Sequence, residues 1–152
     1  MLTIKDVELA HQRIASHVNR TPIVISRLLN QWLGHNIYFK LECMQKVGAF
    51  KARGACNTIA WLIENNQKPN KIVSNSSGNH AQAVAWAASR FNIPATIYMS
   101  KTVSKVKAQA TRAYGAEVVL CESRAVADQC AIDEAKKNGV YWISSFNHPQ
   151  VL

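Results

Sequence analysis

A chain of 152 residues can bury one core, and 48% apolar residues place it among globular proteins. No stretch reaches the ~18 uninterrupted apolar residues of a membrane span, and the start MLTIKDVELA lacks the basic and apolar sectors of a secretion signal, so a cytoplasmic protein without a membrane partner is expected. The formal net charge of +9 raises a basic nucleic-acid-binding module as a reading, but the lysines and arginines are spread along the chain without an aromatic stripe or a reading motif, so no nucleic-acid partner is expected.

Taken in order, Thr3 with Asp6 has the pattern of a helix N-cap, and Val7, Ile14 and Val18 are apolar positions of a first helix running to about residue 18. The run 19–22 breaks it. Residues 37–41 read as a strand leading into the loop around Lys51, and 52–65 as a helix. After the Lys68-Pro69-Asn70 turn come a strand over 71–75 and an alanine-rich helix over 81–91. The alternation continues with strand 95–99, helix 104–114, strand 117–121, helix 125–137 and strand 140–144. Gly115 and Gly139 sit where C-terminal glycines of helices belong. Such alternation implies βαβ units, hence a three-layer α/β fold with a mostly parallel sheet covered on both faces. The four cysteines, at 43, 56, 121 and 130, show no CxxC spacing and no nearby histidine pair, which argues for reduced thiols and against a zinc site or disulfide framework.

Two runs carry chemistry. In GAFKARGA (48–55), Lys51 lies among apolar residues and between glycines, with Arg53 two positions on. Desolvation or a cationic neighbour is what a lysine needs in order to lose its proton and become a nucleophile. In SSGNHA (76–81), small and polar residues join a strand to a helix, where free N–H groups, the helix dipole and a glycine favour an anion. Ordinary capping explains one such residue, not five in succession. The turn also lies at the carboxyl end of a strand, where open parallel sheets bind ligands.

GAFKARGA, SSGNHAQAVAWAA and KAQATRAYGAEVV (107–119) together resemble the fold type II pyridoxal-phosphate enzymes, and within them the threonine dehydratase and serine racemase branch. The resemblance covers nearly the whole chain. Cysteine synthases tend to carry an acidic residue after the lysine; here Ala52-Arg53-Gly54-Ala55 follows, which favours the dehydratase and racemase branch. The resemblance implies pyridoxal 5'-phosphate as cofactor and a small amino acid as substrate. It implies Lys51 as the residue that bonds to the cofactor aldehyde and later acts as base. Phe50 would cover one face of the cofactor ring, and Asn79 would bond its hydroxyl oxygen. Ser76, Ser77, Gly78, Asn79 and His80 would receive the substrate carboxylate, and Ser77 is the counterpart of an acid or base in racemase members. No metal site is implied.

The implied activity is deamination by dehydration of L-threonine or L-serine to a 2-oxo acid and ammonia. A serine racemase activity is the alternative on the same scaffold. A catalytically inactive remnant acting as a binding or self-associating domain is another. The six glycines, at 34, 48, 54, 78, 115 and 139, include no adjacent pair, so the glycine-rich loop that grips the cofactor phosphate in the resembling enzymes has no counterpart here. The expectation is therefore an amino-terminal portion of a longer fold. Residues 1–50 would belong to the larger catalytic domain and lysine loop, and 51–152 would form the smaller α/β domain. The 152-residue chain alone would be inactive, and its partner would be a further copy or the missing carboxyl-terminal half.

Overall fold

The computed structural model describes residues 2–146 and 148–151, so the outer limits of the two expected segments, at 1 and 152, lie outside the described residues. Helix α1 (Ile4–Ile14) starts as its sequence suggests, the Thr3 hydroxyl accepting from the Asp6 N–H while the Asp6 carboxylate accepts from the Thr3 N–H. It ends earlier than expected because the N–H groups of His17 and Val18 both donate to the Ile14 carbonyl, which tightens residues 15–18 into a turn.

Two elements appear that the periodicity did not announce, β1 (Ile23–Ile25) and α2 (Arg27–Leu33). Both are too short to develop a period. Strand β1 pairs antiparallel with β2 (Tyr38–Lys40), setting Val24 opposite Phe39. Ser26 caps α2 by accepting from the Leu29 N–H, and Gly34, at φ +67, ends it in the left-handed conformation.

Two 3₁₀ turns, Glu42–Met44 and Lys46–Gly48, lead into α3 (Lys51–Glu64). The rest alternates as expected, with boundaries moved by a residue or two: β3 (Lys71–Asn75), α4 (Asn79–Arg90), β4 (Ala95–Ser100), α5 (Lys105–Ala113), β5 (Glu117–Cys121), α6 (Arg124–Ala135) and β6 (Val140–Trp142). Gly115 is the left-handed residue just beyond α5. Gly139 has another reason to be glycine: it enters β6 at φ +75, where an added Cβ would lie 2.5 Å from the Asn70 amide nitrogen.

The four strands of the main sheet are parallel, in the order β5-β4-β3-β6. The chain steps outward from β3 to β5 and then returns to lay β6 on the other side of β3. Right-handed crossovers therefore put α4 and α5 on one face and α6 on the other, giving the three layers expected. Helix α4 packs on α3 and α5, while α6 lies along all four strands. Ala52 and Ala55 of α3 and Ala81, Ala85 and Ala88 of α4 are buried, and side chains this small let the two helices approach closely. Beneath them Ile59, Leu62, Ile72, Ile97 and Met99 are fully enclosed, each worth ~1.5–3 kcal/mol relative to exposure. Among the described residues no helix is long and apolar enough to cross a membrane.

Candidate active site at the β3 and β6 strand ends

The reversal of strand order opens a crevice between the carboxyl ends of β3 and β6, the position at which open parallel sheets receive ligands. Beyond β6 the Ile143 N–H donates to the Val73 carbonyl at 3.0 Å, continuing the pairing with β3. The Ile143 carbonyl accepts from the Ser74 hydroxyl at 2.8 Å and from His80 Nε2 at 3.1 Å. Two residues further on, the Ser145 carbonyl accepts from Lys51 Nζ at 3.0 Å. The lysine loop and the SSGNHA turn, far apart in sequence, thus meet at one strand end.

Lys51 is the first residue of α3 and is reached through a strained turn. Val47 (φ 55) and Gly48 (φ 67) are consecutive left-handed residues; glycine tolerates this, whereas a β-branched valine costs about 1–3 kcal/mol. Side-chain ties hold the turn. Gln45 Oε1 accepts from the N–H groups of Asn19 and Lys46, and Gln45 Nε2 donates to the Asn19 carbonyl. The Arg53 guanidinium donates to both Glu42 oxygens, at 2.9 and 2.8 Å, and the Thr21 hydroxyl donates to one of them at 2.6 Å. These bonds, Arg53's first, hold the Glu42 carboxyl below its ordinary pKa despite its desolvation. Arg53 is therefore the partner of Glu42, not the free cation beside the lysine amine that its place in the sequence suggested.

Lys51 Nζ lies 5.3 Å from the centre of the Phe50 ring and 5.9 Å from that of Phe146. The lysine is half-buried, and both rings are exposed. Phe146, Ser145 and Ile143 went unread as site residues; a backbone carbonyl leaves no residue signature, and the sole available signal was their position at the end of an expected strand (Ile143) or just beyond it (Ser145, Phe146).

Helix α4 begins at Asn79 with Gly78 as N-cap and no side-chain cap, unlike α1, α2 and α6. The short polar residues of the turn are thus not spent on capping the helix. Ser76 Oγ accepts from the Gly78 N–H at 3.3 Å, while Ser77 and Asn79 are exposed and their side chains have no partner among the described residues. The Ala81 N–H donates to the Gly78 carbonyl at 3.1 Å, while the N–H groups of Asn79 and His80 have no backbone acceptor among the described residues and can face an anion. A Cβ added at Gly78 would meet nothing within 4 Å, so a ligand finds open space there.

His80 is different. It is 4% exposed, and because the Ile143 carbonyl can only accept, Nε2 carries the proton and Nδ1 is a bare acceptor, buried without a partner among the described residues. Burial lowers its pKa, the bond to Ile143 opposes this in part, and the Lys51 charge adds to the lowering. The imidazole therefore has no donor to offer a carboxylate, and the part of residue 80 open to an anion is its backbone N–H. His148 is also employed: its Nε2 bonds the Tyr141 hydroxyl at 2.7 Å and its Nδ1 accepts from the Gln150 N–H at 3.1 Å, folding residues 148–151 against α3. There Asn57 Nδ2 donates to the Gln150 carbonyl at 2.9 Å.

These residues fit the cofactor implied by the sequence. It requires an amine for its aldehyde, a flat apolar surface for its ring and donors for its oxygens. Lys51, the exposed ring of Phe50, Asn79 and the uncapped start of α4 provide them.

A family model described as pyridoxal-phosphate dependent enzyme matches residues 14–152. The L-threo-3-hydroxyaspartate ammonia-lyase of Saccharomyces cerevisiae is 41% identical, over 99% of this chain and 46% of its own length. The L-threonine ammonia-lyase of Thermotoga maritima is 40% identical, over 100% of this chain and 38% of its own. The solved structure of a serine racemase from Dictyostelium discoideum matches with a TM-score of 0.89 and 33% identity, covering 99% of this chain and 49% of that one. The chain spans about half the length, or less, of the curated relatives it matches. A motif pair read from sequence, a strand-end site built around a lysine and a family match over nearly the full length agree: the chain belongs to the pyridoxal-phosphate-dependent enzymes.

Proposed function

We propose that this chain carries the lysine-bearing part of an ammonia-lyase that converts L-threonine or L-serine to a 2-oxo acid and ammonia. The observation that carries the reading is the convergence of Lys51 and the open start of α4 on the strand end at 143–145. When bound, pyridoxal phosphate supplies an electron sink for the bonds at the substrate α-carbon. Lys51 Nζ would hold the cofactor by its aldehyde and, as a free amine, would take the substrate α-proton. Phe50 would pack on the ring and Asn79 would bond the ring oxygen. The N–H groups of Asn79 and His80, with Ser76 and Ser77, would orient the substrate carboxylate. The packed helices α3 and α4 exclude water from behind the site.

A racemase is the second reading, favoured by one observation: Ser77 is exposed and unbonded on the open turn, where a hydroxyl can return a proton to the face opposite the lysine. Product analysis separates the two, with pyridoxal phosphate, L-serine and the remaining half of the fold supplied. Pyruvate and ammonia in excess of D-serine are expected. D-serine in excess, abolished by Ser77→Ala, would favour the racemase.

Residues 1–50 are assigned to the larger domain of the fold and 51–152 to the smaller. Supporting this, β1, β2 and α2 carry exposed Ile23, Ile25, Trp32, Leu33 and Tyr38, a surface suited to cover by further polypeptide. The four thiols are free, in keeping with a reducing, cytoplasmic setting.

A further inference from the structure

The Ile143 carbonyl receives two donors from different elements, the Ser74 hydroxyl of β3 and the imidazole of His80 in the first turn of α4. A carbonyl oxygen has two lone pairs and both are used here, one by β3 and one by α4, so the second bond fastens the start of α4 to the chain leaving β6. That same stretch, two residues on, presents the Ser145 carbonyl to Lys51 Nζ. A path of two hydrogen bonds and two peptide units thus runs from the turn that faces a ligand to the amine that reacts with it. The imidazole suits a fixed tie. It is 4% exposed, its Nε2 proton is committed to an acceptor, and among the described residues its Nδ1 has no competing partner.

We propose that His80 is a positioning residue for Lys51, acting as a neutral, Nε2-protonated clamp between the first turn of α4 and the 143–145 segment that holds the lysine amine. Its imidazole touches neither substrate nor cofactor; only its backbone N–H faces the anion turn. The proposal rests on the reading of Lys51 as the reactive lysine, but its consequence for the geometry of the amine needs no cofactor. Loss of the clamp leaves Ile143 its bond from Ser74, so β6 stays paired while the tie to α4 is cut. His80→Gln keeps a side-chain N–H near the position of Nε2, whereas His80→Leu fills similar space without a donor.

Two measurements on the 152-residue chain test this. The first is long-range proton–nitrogen NMR of the histidine rings, which should show His80 neutral with its proton on Nε2; a proton on Nδ1 would overturn the proposal whatever the variants do. The second is competitive reductive methylation with formaldehyde, read lysine by lysine by mass spectrometry, on protein shown by circular dichroism to be folded. His80→Leu should change the rate at Lys51 by about threefold to tenfold, the span that one net hydrogen bond corresponds to. Rates at Lys5 and Lys101 should not move, and His80→Gln should restore the Lys51 rate. An unchanged Lys51 rate in folded His80→Leu, or a change shared by all lysines, would overturn it. Because no pyridoxal phosphate is present, this result stands apart from whether Lys51 binds the cofactor: a clamp without cofactor capture sinks the functional reading alone, and capture without a clamp sinks this one alone.

Discussion

His80 resists a proton that the unfolded chain accepts. Its burial depresses the folded pKa below the ordinary 6.5, and burial acts in the same direction on His148. In the window below 6.5 the unfolded state then binds more protons than the native state, so stability is complete above that value and falls as pH falls through it. Glu42, held below 4.5 by Arg53, adds a second loss only in more acid solution. Urea midpoints measured from pH 7.5 to 5 should therefore decline, with a shallower decline in His80→Gln; a midpoint that rises on acidification would contradict this. At this scale the sequence singled out Lys51, Phe50, Ser77 and Asn79 by residue type, and the roles given to them above are proposals. It was misleading where chemistry depends on orientation. Arg53 sits two positions from the lysine yet turns to Glu42, and His80 sits in the anion turn yet spends its proton on Ile143.

Among the elements, α3 and the 148–151 turn make the tightest demand. A Cβ at Gly54 would lie 2.5 Å from the Val151 carbonyl oxygen, a backbone atom that cannot move aside without lifting the turn from α3. Gly54→Ala removes the conformational penalty of a mid-helix glycine, worth ~0.5–1 kcal/mol, but adds this overlap, which typically costs ~1–3 kcal/mol. Net destabilisation is expected, together with faster hydrogen exchange at the Val151 N–H, which donates to His148. A variant stabilised by the alanine would show that the turn does not press on the helix in solution. The elements from α3 to α6 were readable because each follows an apolar pattern and is bounded by turn signals, and the three-residue β6 was readable from its place after the Gly139 turn. Strand order was not, since β6 lies beside β3 through packing that no local pattern records, and that order creates the crevice holding the site. The elements β1 and α2 escaped because three and seven residues are too few to show a period.

For the molecule as a whole, the contrast lies between an enclosed α/β layer and an amino-terminal arm whose large side chains stay open to water. Trp32 is 71% and Tyr38 69% exposed, and Ile23 and Ile25 lie on the short sheet with Tyr38. Clustered apolar surface of this kind seldom stays bare on a soluble monomer. Studied as 152 residues, the chain should self-associate at micromolar concentration in sedimentation, and Trp32→Lys with Tyr38→Lys should shift it toward monomer. A monomer at all concentrations, with a protected arm in hydrogen exchange, would show that the chain covers this face itself. The net charge of +9 gives the same experiment a control, because association driven by apolar contact persists in high salt while adsorption to polyanions does not.

The central claim is that Lys51 is the residue that captures pyridoxal phosphate. Borohydride reduction of the chain mixed with pyridoxal phosphate, followed by peptide mapping, tests it most directly. The reduced pyridoxyl label should concentrate on the peptide containing Lys51 and vanish from that peptide in Lys51→Ala, with the remaining lysines labelled only in proportion to their exposure. A label centred on Lys40 or Lys46, or one spread evenly over the surface lysines with none in excess at Lys51, would contradict it.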